Sequence, residues 1–218
     1  MHATSQVIAL TFPIKINMTK INEVNSFLPK DIKVIGYTQV SLNFSPRYDA
    51  IYRHYKYITP YKRENLILMK YFSKSILGFH DFKKISSQKT TKNTLRRLIA
   101  INIQKLGNFL HIDIIGRSFC RGMIRKTLSL LIEAGKGNIK YNDLSLLLNP
   151  VITKTTSLKY ALPTNLILYD IKYPVTFHHV TKAIINFIDY IKYKLSNTRL
   201  SKQIFMSFKS YFAKNLLL

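Results

Sequence analysis

The chain has 218 residues, 47% of them apolar, which is enough for a sizeable core and too much for a disordered polymer. Its 34 Lys and Arg against 10 Asp and Glu give a formal charge of +24, which calls for a polyanion: nucleic acid first, an anionic membrane surface second. One cysteine, Cys120, excludes an internal disulfide and a cysteine-based metal site, and no apolar run approaches the ~18 residues of a spanning helix.

In chain order, residues 6–12 read as a strand. Residues 20–28 form a short helix with Ile21, Val24 and Phe27 or Leu28 on one face, ended by Pro29. Residues 33–40 and 52–58 are strands, punctuated by Pro46 and Pro60. Residues 64–77 make a helix with Leu68, Phe72 and Ile76 at four-residue spacing and Gly78 as a C-cap. Residues 95–103 and 109–115 form a hairpin about Gly107-Asn108, with Leu110, Ile112 and Ile114 alternating. Residues 119–134 are a helix stopped by Gly135, residues 141–148 another stopped before Pro150, and residues 166–173 a strand. In 178–218, Ile184, Ile188, Ile191 and Leu195 make an apolar stripe among Lys182, Lys192, Lys194 and Arg199. That pattern predicts a helix docked on the body or on a partner subunit, or else a basic arm facing RNA or a membrane. The fold class is α+β: from residue 52 to 173 the order resembles a split ferredoxin-like layout, antiparallel strands with helices on one face.

Residues 43–58 carry the densest chemistry. Arg47, Arg53 and Lys56 are interleaved with Tyr48, Tyr52, Tyr55 and Tyr57. In a strand, Arg53, Tyr55 and Tyr57 share one face and Tyr52, His54, Lys56 and Ile58 the other. A cation beside flat rings suits a phosphate and an unstacked base. The same spacing also fits a half-buried strand with snorkelling cations. Elsewhere, Arg121 and Arg125 are four apart and would share a helical face. His178-His179 lacks a third ligand for zinc, no phosphate-binding glycine loop is present, and Asp113 and Glu133 have no obvious paired carboxylate.

The order of segments narrows the reading. Arg47-Tyr48-Asp49-Ala50-Ile51-Tyr52-Arg53-His54-Tyr55-Lys56-Tyr57 resembles the R-[FY]-x-A-x-x-R-x-Y-x-Y motif of the tRNA pseudouridine synthase A family. Five more segments follow the family's order. They are His2-Ala3-Thr4-Ser5-Gln6-Val7, the run from Ile21 to Ile32, Gly78-Phe79-His80-Asp81-Phe82, Phe119-Cys120-Arg121-Gly122-Met123-Ile124-Arg125, and Asn165-Leu166-Ile167-Leu168-Tyr169-Asp170-Ile171-Lys172-Tyr173. Each is weak alone; six in order over residues 2–173 are specific.

The resemblance implies a division into 1–48, the remainder of an N-terminal pseudouridine-synthase domain, 49–177, the C-terminal domain, and 178–218, a basic amphipathic tail. It implies isomerisation of uridine to pseudouridine at positions 38–40 of the tRNA anticodon stem-loop, by a homodimer with a basic groove, without metal or redox cofactor. With one cysteine and no signal-peptide plan at the start, the expected compartment is the cytoplasm and no membrane is involved. An Asp nucleophile attacks the flipped nucleoside. Tyr55 falls where the family has its active-site tyrosine, Arg125 where an arginine pairs with the Asp, and Leu166 and Leu168 where the uracil pocket is walled. Arg53, Lys56 and Arg121 are the expected RNA contacts, and His80-Asp81 has a structural part. In the family, R-T-D-x-G-[VM] leads directly into H-A-x-x-Q-V. This chain opens Met1-His2-Ala3, so the Asp falls three residues ahead of Met1. The expectation is an upstream start or a truncated, inactive product. The alternative function is an RNA-binding remnant without catalysis; a ribosome-associated basic protein is suggested by charge alone.

Overall fold

A computed structural model describes residues 2–13, 20–87, 93–148, 158–194 and 199–216. The elements are β1 (His2–Ala3), α1 (Ile21–Phe27), β2 (Gly36–Tyr37), β3 (Tyr52–Pro60), α2 (Leu66–Ser75), β4 (Gly78–Asp81), β5 (Leu95–Leu106), β6 (Phe109–Gly116), α3 (Met123–Gly135), α4 (Tyr141–Leu148), β7 (Leu166–Lys172), β8 (His178–His179), α5 (Thr181–Lys194) and α6 (Arg199–Leu216). A short 3-10 turn, Pro163–Asn165, leads into β7. The chain is α+β, with a mostly antiparallel sheet.

The chain forms two units. One holds residues 1–5 and 52–171, the other 6–51 and 172–218. Residues from 172 on fall in the same unit as 6–51.

In the first unit six strands run in the order β1-β7-β3-β6-β5-β4. β5 and β6 are the hairpin expected about Gly107-Asn108, paired Leu106 to Phe109. Along β6, Leu110, Ile112 and Ile114 turn to one face, and α2 and α3 cover it. Met69 and Phe72 of α2, and Met123, Leu128 and Leu131 of α3, complete that core. α2 begins at Asn65, whose Oδ1 accepts the N–H groups of Ile67 and Leu68 at 3.0 and 3.1 Å. Its buried stripe is Met69, Phe72 and Ile76; Leu68, expected there, is 37% exposed. Phe72 and Ile76 face the core as expected, and Met69 takes the place of Leu68 because it meets α3 where Gly135 lets it come close. A Cβ at Gly135 would lie 2.6 Å from Met69 Cγ.

Four expectations fail for physical reasons. Residues 6–12 form no strand, and Ile8 is 68% exposed: alternation alone does not satisfy a backbone that has no neighbouring ladder. Only Gly36–Tyr37 of 33–40 pairs, with His178–His179. Gly78 opens a strand instead of capping a helix. α3 begins at Met123, not 119, because Gly122 sits at φ +75° just before it. A side chain at Gly122 would be strained there and would meet Tyr160 at 2.8 Å.

In the second unit, α5 buries Ala183, Ile184 and Ile191, and α6 buries Ile204, Phe208, Tyr211 and Phe212. Phe187 meets Phe212 edge-on, 6.5 Å between centroids, so the two helices pack together. Leu195, the last residue of the expected stripe, lies outside the described residues. No described helix is long and apolar enough to cross a membrane.

Candidate functional site

β3 alternates as the sequence predicts, and its two faces have separate roles. Tyr55 and Tyr57 point toward the helices. Tyr57 is buried in the core at 3% exposure, so it offers no open ring. Tyr55 is half-buried at the edge of the same core, and Phe119 stands edge-on to it at 5.4 Å. Burial raises the Tyr55 hydroxyl above its ordinary pKa, and the charge of Arg53 only partly offsets this. The phenol therefore stays protonated at neutral pH. Arg53 donates from Nη1 to the Arg117 carbonyl at 2.7 Å, tying down the turn after β6.

Arg125 lies in the first turn of α3. Its Nε donates to the Ala161 carbonyl at 2.6 Å, and the Ala161 N–H donates back to the Arg125 carbonyl at 3.1 Å. Its guanidinium lies 5.0 Å from the centre of the Tyr160 ring. Among the described residues no carboxylate pairs with it. The charge of Arg125 is felt by Tyr57, whose pKa burial raises. The backbone of Leu162, the side chains of Asn165 and Thr59, and Arg125 pull that pKa down by less. Tyr57, Arg125, Ala161 and Asn165 are thus one constellation, joined by residues more than thirty positions apart.

Leu166 and Leu168 are buried on β7. Leu166 belongs to the core that also holds Tyr57, with Tyr55, Phe119 and Ala161 at its margin. β1 runs parallel to β7, with His2 opposite Ile167 and Ala3 opposite Leu168. Thr4 locks this register: its N–H and its hydroxyl both reach the Leu168 carbonyl, at 3.0 and 3.1 Å, and the hydroxyl also reaches the Tyr169 carbonyl. Burial, foremost, lowers the pKa of His2.

Lys56 and Arg121 do not join this constellation. Lys56 is on the other face of β3, 3.2 Å from Asp113 Oδ1 and 4.7 Å from the Tyr169 ring centre. His54 Nε2 lies 2.6 Å from the same oxygen. Burial alone would raise the Asp113 carboxyl, but the His54 hydrogen bond and the Lys56 charge outweigh it and hold it below the usual range. Sequence reading found no partner for Asp113 because its partners lie more than fifty residues earlier, across the β3–β6 register. Arg121 is exposed in the turn before α3 and does not share a helical face with Arg125; its carbonyl accepts from the Ser87 backbone and hydroxyl at 2.8 and 2.9 Å. His80 meets the Leu77 carbonyl at 2.8 Å, and Asp81 Oδ1 accepts from Lys83 N and Thr94 Oγ1, at 2.8 and 2.6 Å. Both residues brace turns. No group of three or more His, Cys, Asp or Glu gathers among the described residues.

Residues 73–174, which include Phe119, Arg125, Leu166 and Leu168, match the family described as tRNA pseudouridine synthase. The protein named tRNA pseudouridine synthase A from Methanosarcina barkeri is 35% identical over 151 residues, 69% of this chain and 56% of that one. The protein of that name from Methanosphaera stadtmanae is 33% identical over 178 residues, covering 79% and 63%. The one from Buchnera aphidicola is 33% identical over 199 residues, covering 81% and 73%. The chain belongs to the tRNA pseudouridine synthase A family. It spans less than two thirds of the length of the first two of these relatives.

Proposed function

We propose that this chain is the RNA-binding and base-positioning body of an enzyme that isomerises uridine to pseudouridine in tRNA, at positions 38–40 of the anticodon stem-loop. One observation carries the reading. The parallel β1–β7 pairing points the backbone ahead of His2 toward the Pro163–Asn165 turn, where Asn165, Tyr57 and Arg125 meet. In the family pattern the carboxylate stands four residues ahead of His2. Extended backbone covers about 3.3–3.6 Å per residue, so that carboxylate lies within roughly 13–14 Å of His2.

The roles follow from chemistry. Arg125 supplies the charge that keeps such a carboxylate ionised and nucleophilic. The target uridine leaves its stack, and Tyr55 receives the base on its ring. Leu166 and Leu168 wall the base from water while it is detached, turned and rejoined through carbon. The neutral Tyr55 hydroxyl is available to move a proton. Arg53 and Arg121 lie near the surface and suit phosphate contacts; Lys56 contributes less, since Asp113 already neutralises it. The protein works as a homodimer in the cytoplasm, and light scattering on the purified chain reads its oligomeric state.

The rival reading is RNA binding without turnover. It is favoured by the lack of a carboxylate partner for Arg125 among the described residues. Pseudouridine mapping separates the two. The 218-residue chain and a version extended upstream through Arg-Thr-Asp-x-Gly are each incubated with tRNA. Turnover by the extended chain alone is expected. Turnover by the shorter chain would refute the assignment of the nucleophile, and failure of both would favour the binding-only reading.

A further inference from the structure

The second unit holds a pocket of about 300 Å³ lined by Asn25, Ser26, Lys33, Lys182, Ala183 and Asn186. Its lining residues lie outside residues 73–174, the span matched by the family model, although Asn25 and Ser26 fall in the Ile21–Ile32 run. None of the lining residues is acidic, and Glu23, earlier on the same helix α1, lies 3.9 Å from Lys20.

The pocket is built, not incidental. Asn25 is buried, and its amide grips the backbone of Val34 both ways: Nδ2 donates to the Val34 carbonyl at 2.9 Å and Oδ1 accepts its N–H at 2.7 Å. The Asn25 carbonyl accepts from Lys33 Nζ at 2.8 Å. The Lys33 ammonium is thereby held at the pocket instead of sweeping through solvent, with two of its three donors left for a ligand. The opposite wall is fixed as well. The Val180 N–H donates to the Ile35 carbonyl at 2.9 Å, so α5 starts in register with 33–35. Lys182 and Asn186 then stand one turn apart on one face of α5.

We propose that this pocket seats a phosphodiester of the RNA backbone, held by the ammonium groups of Lys33 and Lys182 with Asn186 as a neutral donor; the Ser26 hydroxyl donates instead to the Glu23 carbonyl at 2.6 Å. The proposal rests on the tRNA reading above and extends it to the second unit. Lysine serves phosphate as a point charge, and two of them around a cavity with no acidic lining residue select an anion. The anion is one of a chain rather than a lone ion because α5 and α6 continue the cationic run. Lys192, Lys194, Arg199, Lys202 and Lys209 are exposed there, against Asp189 as the sole carboxylate of these helices.

The test is tRNA binding by the full chain across a salt series, for wild type, Lys182→Gln, Lys33→Gln and the double variant, with Lys70→Gln, at an exposed position of α2, as control. Each pocket substitution should lower the slope of log affinity against log salt, and the pair should lower it by roughly 0.7–0.9 in all, because the two lysines share one phosphodiester. Lys182→Gln, which breaks no hydrogen bond to Asn25, should leave the melting temperature unchanged, so its effect is not unfolding. In parallel, inorganic phosphate is titrated against the amide resonances of the labelled chain. Wild-type binding to tRNA with slopes unmoved by both pocket substitutions would overturn the seat while leaving the tRNA reading intact. Phosphate shifts at the pocket with unmoved tRNA slopes would mark a free-phosphate site and overturn the RNA source. An equal loss from Lys70→Gln would mean bulk charge and not a seat. No tRNA binding by wild type would remove both readings.

Discussion

The two faces of β3 use the same alternation of rings and cations for opposite ends. On the helix side, Tyr57 is closed into the core and Tyr55 borders it, and the nearby guanidinium of Arg125 is held by a carbonyl and a ring rather than by a carboxylate. On the other side, Lys56 and His54 converge on Asp113, and the Lys56 and Asp113 side chains are 18% and 17% exposed. Beside one face the described cation has no carboxylate; on the other the cation is neutralised. A basic residue beside tyrosines is therefore no guide to RNA contact until the partner strand is known. Among the described residues no carboxylate offsets Arg125, whereas Lys56 is largely committed to the fold.

The largest effect should come from the packing beneath the helix face. Ile112 is fully buried between β3, β5 and the helices. Ile112→Ala should cost about 2–5 kcal/mol, read as a lower urea midpoint at unchanged m-value. A loss under 1 kcal/mol would mean that this face is loosely packed, and the contrast between the faces would weaken.

The outer face comes next. Asp113→Ala strands two basic groups that are mostly out of water and should cost about 1–3 kcal/mol. Adding Lys56→Met should recover part of that loss, whereas Arg125→Met should recover none. The pH dependence has a definite sign. The Asp113 carboxyl is held below its ordinary value in the folded state. Its contribution is therefore present above the unfolded aspartate pKa, about 3.9, and is lost as pH falls through the lower folded value. Asp113→Asn should flatten acid unfolding in that window. An unchanged acid limb would show that the cluster contributes nothing to stability.

Much of this contrast is legible in the sequence, and the remainder is not, for identifiable reasons. Alternation in 52–58 and 109–115 separates the two faces correctly, because a strand's period holds wherever a partner exists. The hairpin at Gly107-Asn108 and the stop at Gly135 are local signals, and both hold. Residues 6–12 carry the same alternation without a ladder, so the pattern misleads. Asp113 reads as a lone carboxylate because its partners are set by register across β3 and β6. The surroundings of Arg125, with Tyr160 and Ala161, depend on a loop that returns to α3 from thirty-five residues later. Motif order singles out Arg125 but cannot supply its neighbours.

Tyr55 is tested by binding and rate rather than by stability. In an extended, active chain, Tyr55→Leu should lose base binding by about 1–3 kcal/mol, whereas Tyr55→Phe keeps the ring and should bind normally. If the hydroxyl moves a proton, the Phe variant should turn over about 10²–10⁴-fold more slowly despite normal binding. Wild-type binding and rate in both variants would make Tyr55 a packing residue like Tyr57.

The smallest effect distinguishes the two tyrosines by stability instead of activity. The Tyr57 hydroxyl is enclosed by Asn165, Thr59 and the backbone of Leu162, so Tyr57→Phe removes hydrogen bonds from a closed site. The cost should be about 0.5–1.5 kcal/mol at neutral pH, since the phenyl ring still fills the space. Tyr55→Phe should cost less, because burial and the Arg53 charge, not hydrogen bonds, act on that hydroxyl. Alkaline pH sharpens the difference. Both hydroxyls have folded pKa values above the ordinary tyrosine value, so each contributes stability that is whole below about pH 10 and is lost as pH rises through the folded value. Each Phe variant should therefore lose stability less steeply than wild type above pH 10. Only Tyr57→Phe should begin from a lower level at pH 7. A Tyr55→Phe chain that is the less stable of the two at pH 7 would place the closed hydroxyl at Tyr55 and reverse the roles given to the two rings.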